Sequence, residues 1–212
     1  PDMLKQMGWS RAFRLGIDFI PEAAMVATGG VPKLILMAEF AEDSVSEADK
    51  KAVAAKHVLE GLPVRTKIEK NEKESEKYWV VRRESFSLLR KNLHGLYASP
   101  FIDDFVVPPA TYPEFLPKLN ALLDQYKSHF IYTIAGHVGN GNFHIIPLMD
   151  LSKPENRAVI LELAPKVYDL VIAEGGTTTG EHNDGIIRTP YLTQLFGPDM
   201  EALFERTKRA FD

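Results

Sequence analysis

The sequence predicts an α+β sandwich of the ferredoxin-like type, a mixed or antiparallel sheet with helices packed on it. Three observations point there. Apolar runs of strand length alternate with stretches whose apolar residues recur at helical spacing. An Asn-Gly pair, Asn140-Gly141, separates two of those runs, which marks a hairpin. No low-complexity linker or internal repeat interrupts the 212 residues, so the chain reads as a single domain over 1–212.

The elements follow in order. Residues 33–41, KLILMAEFA, form a continuous apolar run suited to a strand covered on both faces. Ser46 with Asp49 predicts a helix start, the alanines at 48, 52 and 55 with Val58 and Leu59 a stripe, and Gly61 its end. VRTKI at 64–68 reads as a strand. Asn71 and Glu74 open a helix carrying Trp79, Phe86, Leu89 and Leu93 at helical spacing, with Arg82 and Arg83 near its middle. FIDDFVV at 101–107 is strand-like, ending at Pro108-Pro109. Thr111 and Glu114 then open a helix with Phe115, Leu119, Leu122 and Tyr126 on one side. Two strands flank GNG, and a helix with a kink at Pro165 spans about 154–173. Residues 175–189 have turn chemistry and no period, a length that usually signals a functional loop. A last helix covers 199–210.

Composition narrows the function classes. Twenty-five basic and 29 acidic residues leave a formal charge of −4, so a nucleic-acid or anionic-membrane partner has no support. With 45% apolar residues the chain can bury a core. The absence of cysteine excludes disulfides and thiolate metal sites and suits a reducing compartment. The apolar runs are too short to span a bilayer, and the first residues lack a signal pattern. The expectation is a cytoplasmic protein without a transmembrane segment, with peripheral association to a membrane left open.

The chemistry gathers in two stretches. A type I′ turn at Asn140-Gly141 would pair residues whose numbers sum to 281, placing His137 opposite His144 and sending Val138 and Phe143 into the core. Two imidazoles without thiolates favour zinc, manganese, iron or cobalt, and leave a set that needs a third ligand. Glu181-His182 in the 175–189 loop offers a carboxylate and an imidazole; side by side in extended chain they point apart, so different roles are expected of them. Glycines 136, 139 and 141 do not make a nucleotide loop, because a strand follows them. His57, His94 and His129 read as ordinary surface or packing residues, and Asp103-Asp104 as solvated acids at a strand end.

GHVGNGNFH resembles the GHxGDGNxH motif, and GGTTTGEHNDGIIRTPYL the GGxxxGEHGxGxxRxPYL segment, of the FAD-linked oxidase C-terminal domain. This is the substrate or cap half of flavin-dependent D-lactate, glycolate and D-2-hydroxyglutarate dehydrogenases. Weaker likeness through WVVRRES and FIDDFVVP extends it over roughly residues 33–200. The resemblance implies metal binding by His137, His144 and Glu181, a catalytic role for His182, and recognition of the substrate carboxylate by Arg82 or its neighbour Arg83. It implies FAD, bound mainly by a separate flavin-binding domain that this chain lacks, a divalent metal such as Zn, Mn or Fe, and an unspecified electron acceptor.

The departures also speak. Members that take dicarboxylic substrates carry a lysine and an asparagine where this chain has Ile102 and Ile146, which disfavours a second buried carboxylate. Asn140 replaces an aspartate and Asn183 a glycine of the motifs. Neither a pyrophosphate loop nor the family's LNPG-like tail is found, so a fragment of a larger enzyme is expected. The reading is thus the cap domain of a D-2-hydroxy acid dehydrogenase acting on a small monocarboxylate such as D-lactate or glycolate. A free-standing metal-dependent hydrolase and a non-enzymatic α+β regulatory module are the alternatives.

Overall fold

The computed structural model describes residues 34–69, 71, 74–80, 82 and 95–212. The chain divides into two units, Pro1–Leu88 and Leu89–Asp212.

In the first unit, helix α1 spans Val45–Val58. Its cap is Ser44, two residues before the expected Ser46: the Ser44 hydroxyl accepts from the Glu47 backbone N–H at 3.3 Å and donates to the Glu47 carboxylate at 3.1 Å. Ser-x-x-Glu outcompetes Ser-x-x-Asp because the longer acid reaches back to the cap. Residues 74–80 and Arg82 are helical, and the Asn71 side chain accepts from the Glu74 N–H at 3.1 Å, as expected of a cap. Arg83, Phe86, Leu89, Leu93 and His94 lie outside the described residues. The expected strands at 33–41 and 64–68 are not found: their described residues carry no ladder pairing, and Leu34, Ile35, Leu36 and Met37 are exposed. An apolar run becomes a strand only where a neighbour supplies its hydrogen bonds.

The second unit is built on an antiparallel sheet. Strands β1 (Tyr97–Ala98) and β2 (Ile102–Val106) lie in line along one edge of β4 (Asn142–Met149), and β3 (Ile131–His137) takes the other edge. Helices α2 (Tyr112–Asp124) and α3 (Pro154–Ala173) cover one face. Phe115, Leu119 and Leu123 of α2 and Val159, Leu163, Val167 and Val171 of α3 recur every fourth residue and bury against Ile102, Phe105, Phe143, Ile145 and Met149. Phe105 stacks on Phe143 with ring centres 5.5 Å apart. Each such fully buried side chain contributes about 1.5 to 3 kcal/mol. The result is the expected α+β arrangement. A further lane beside β2 is reduced to a single antiparallel bridge, Val106 to Thr177.

Two details position the site. A bulge at Asp104 in β2 puts both Ile102 and Phe105 on the core face while Asp103 pairs with His144 on the other. After α3 the chain passes through an irregular stretch into short α4 (Gly185–Arg188), then α5 (Leu192–Phe196) and α6 (Pro198–Phe211). The Gln194 amide donates to the Asp169 carboxylate at 2.6 Å and to the Pro165 carbonyl at 3.2 Å, docking α5 on α3. Among the described residues no helix is long and apolar enough to cross a membrane.

Candidate active site

The hairpin register differs from the expected one. His137 pairs with Asn142 and Ala135 with His144, so paired numbers sum to 279. The connection is a turn of 3-10 helix over Val138–Asn140 closed by Gly141 at φ +80. A type I′ turn needs positive φ at both central residues, and only Gly141 has it. A Cβ on Gly141 would stand 2.1 Å from the carbonyl oxygen of Val107, the residue after β2, so this close approach leaves no room for a side chain here. Val138, expected in the core, is exposed, whereas Phe143 is buried.

The histidines nevertheless meet. A shift of two in the sum preserves which residues share a face, so His137 and His144 become diagonal rather than direct neighbours. Their ring centres are 5.9 Å apart. His137 Nε2 lies 3.2 Å, and His144 Nε2 2.9 Å, from the same oxygen, Glu181 Oε1. His182 joins them: its ring stacks on His144 at 4.8 Å with the planes 9° apart, and its Nε2 is 3.6 Å from that oxygen. Glu181 and His182 therefore converge instead of pointing apart, because their backbone is not extended.

What bends it is Asp104. This residue, at φ 65 and wholly buried, accepts hydrogen bonds from the backbone N–H groups of Gly180, Glu181 and His182 at 2.8 to 3.2 Å. It also accepts from the Thr179 hydroxyl at 3.1 Å and the Asn142 amide at 3.0 Å, with the buried Arg188 guanidinium at 3.4 Å. Burial opposes its charge, but the N–H groups of His182, Glu181 and Gly180 with the Asn142 amide outweigh that and hold the carboxyl well below the usual range. A Cβ on Gly180 would lie 2.6 Å from the Asn142 amide nitrogen, so only glycine lets the loop come this close. Asn183, where the motif has glycine, sits at φ 66, a conformation asparagine tolerates.

Asp103 serves the other side. Its Oδ1 is 3.0 Å from His144 Nδ1 and its Oδ2 3.3 Å from His182 Nδ1. Burial lowers the His144 pKa, yet Asp103 and Glu181 together carry it above its ordinary value. Asp103 and Asp104 are thus not solvated strand-end acids; both are buried, and with Asn142 and Arg188 they are the residues sequence reasoning missed. A signal existed: adjacent acids in an otherwise apolar strand point to opposite faces, so one had to be buried or bulged. His57 is exposed and pairs with Glu60 at 2.9 Å, and His129 lies 2.9 Å from the Asn156 side chain, the ordinary surface and packing roles expected of them.

The donor set fits a divalent ion. Donor atoms of Asp104, His144, Glu181 and His182 lie within 4.8 Å of one another. The oxygens of Asp104 are already committed to N–H donors, and His137 Nε2, outside that group of four, also lies 3.2 Å from Glu181 Oε1. Ligand atoms bound to one ion at about 2.0 to 2.1 Å sit roughly 3 to 3.5 Å apart, and the Nε2 atoms of His137 and His144 lie 3.2 and 2.9 Å from Glu181 Oε1. Arg82 belongs to the first unit, its guanidinium 5.4 Å from the Trp79 ring centre. Ile102 is fully buried in the core, whereas Ile146 lies on the same β4 face as His144.

Comparison with known proteins places the chain in a family. The family described as FAD linked oxidases, C-terminal domain, matches residues 9–212. A D-2-hydroxyglutarate dehydrogenase of Haemophilus influenzae is 30% identical over 137 residues, 65% of this chain and 13% of that protein. One from Pseudomonas putida is 33% identical over 134 residues, 63% of this chain and 13% of that protein. Glycolate oxidase subunit GlcD of Escherichia coli is 27% identical over 146 residues, 69% of this chain and 28% of that protein. The chain thus corresponds to a small part of the relatives it matches, and it belongs to the C-terminal domain family of the FAD-linked oxidases.

Proposed function

We propose that this chain is the substrate- and metal-binding part of a flavin-dependent D-2-hydroxy acid dehydrogenase that oxidises a small monocarboxylate, such as D-lactate or glycolate, to the 2-oxo acid. The observation that carries the reading is the meeting of three imidazole Nε2 atoms within 3.6 Å of Glu181 Oε1. His137, His144 and Glu181 hold a divalent cation, Zn, Mn or Fe. Bound there, such an ion supplies a Lewis acid that lowers the pKa of the substrate hydroxyl, and a flavin held mainly by a partner domain supplies the acceptor for the hydride from Cα. His182 Nε2 takes the hydroxyl proton, and Arg82 or Arg83 anchors the carboxylate. Ile146 favours one carboxylate over two, since it offers a second one no hydrogen bond.

The test uses the protein at its full length, purified without chelator. Flavin-dependent dye reduction by D-lactate or glycolate, abolished by chelator and restored by zinc or manganese, supports the reading. Faster turnover of D-2-hydroxyglutarate overturns the monocarboxylate assignment, and chelator-insensitive turnover overturns the metal assignment.

A further inference from the structure

We propose that Asp103 is a shared positioning residue: one carboxylate oxygen orients His144 as a ligand, while the other holds His182 with its proton on Nδ1 and its Nε2 lone pair turned toward the reacting hydroxyl. This rests on the proposed function and adds a residue that the two sequence motifs do not contain.

The geometry carries it in three steps. Asp103 is buried, at 8% exposure, and its place opposite His144 in the sheet is set by the backbone register. Each of its oxygens meets a different ring at Nδ1, 3.0 Å for His144 and 3.3 Å for His182. A carboxylate can only accept, so the Nδ1 of His144, hydrogen-bonded to Asp103, carries hydrogen, and the Nδ1 of His182 faces the same acceptor at ion-pair distance; the Nε2 of His144 meets a second carboxylate, Glu181, whose place an ion would take. The two rings, anchored at one end by the same group, lie nearly parallel, and their Nε2 atoms converge on Glu181 Oε1 at 2.9 and 3.6 Å. A ligand and a base are thereby aimed at one point by a single side chain. Asp104 cannot do this, since its oxygens hold the loop backbone; Glu181 cannot, since it stands at the Nε2 end.

An asparagine has one acceptor oxygen and one donor NH2, so it can serve only one of the two rings. The experiment is nitrogen-15 NMR of histidine in the full-length protein at pH 8, with and without zinc, on the wild type and on Asp103→Asn. In the wild type, His182 is expected as the Nδ1–H tautomer in both states. In Asp103→Asn one ring loses its Nδ1–H signal. If that ring is His144, zinc affinity measured by chelator competition falls about 10- to 100-fold. If it is His182, kcat at saturating zinc falls on the order of 10²- to 10⁴-fold with KM little changed.

Wild-type His182 protonated at Nε2 overturns the proposal without any variant, and so does an Asp103→Asn protein in which both rings keep their Nδ1 protons. Failure of the wild type to bind zinc would count against the metal assignment instead, while the His182 tautomer in the zinc-free protein still decides the role of Asp103.

Discussion

His137 and His144 are carried on a strand pair whose ladder runs unbroken from Ile131 with Leu148 to His137 with Asn142, whereas Glu181 and His182 ride on a segment tied to the sheet by one bridge at Thr177. The first pair is placed by backbone hydrogen bonds that no side-chain substitution removes. The second is placed by one buried carboxylate, Asp104, that gathers the N–H groups of three consecutive residues. Half of the site is therefore robust and half depends on a single side chain.

The sharpest way to break that asymmetry is Asp104→Asn. The loop loses acceptors and Arg188 is left buried without its counter-charge, so unfolding free energy should fall by about 3 to 5 kcal/mol, read by urea denaturation, with zinc binding lost as well. Equal tolerance of Asp104→Asn and an exposed control would show that the loop holds itself.

Next in size is His182→Ala. Turnover should fall on the order of 10²- to 10⁴-fold while zinc content, measured by atomic absorption, stays near that of the wild type. Parallel loss of metal and turnover would make His182 a ligand and merge the two halves of the site.

The turn gives a third contrast. Gly141→Ala forces a Cβ against the Val107 carbonyl at a positive φ and should cost about 1 to 3 kcal/mol, whereas Asn140→Ala, with no such constraint, should stay within about 0.5 kcal/mol. Similar costs at the two positions would restore the type I′ turn.

pH separates the halves most gently. The depressed carboxyl of Asp104 stabilises the fold above its unfolded value near 3.8, and that contribution drains away as pH falls below it toward the lower folded value. The raised imidazole of His144 acts oppositely in the zinc-free protein: its contribution is complete below 6.5 and is lost as pH rises through the higher folded value. Zinc must displace that proton, so affinity should climb across the same window. Thermal unfolding with and without zinc from pH 3 to 8 checks both signs; a zinc affinity flat with pH would remove His144 from the ligand set.

The residue types and spacings of the two motifs made His137, His144, Glu181 and His182 legible as one site before any coordinates. The helices α2 and α3 were legible for a similar reason, since a helix repeats its own contacts every turn and writes that period into the chain. The strand expected at 33–41 illustrates the opposite case, because a strand's partner lies elsewhere and local composition cannot name it. Asp103 and Asp104 belong to the same class: nothing within FIDDFVV says that a bulge will turn one acid to the histidines and the other to a loop more than 70 residues away.

By itself the sequence determined the chemical inventory, the donors and their order along the chain, and the helical faces that bury the core. Only the tertiary structure decided the hairpin register, the convergence of Glu181 with His182, and the roles of the two adjacent aspartates. The physical reason is that inventory and helical period are local properties, whereas register, bulge and loop anchoring depend on which distant backbone groups are left in need of a hydrogen-bond partner.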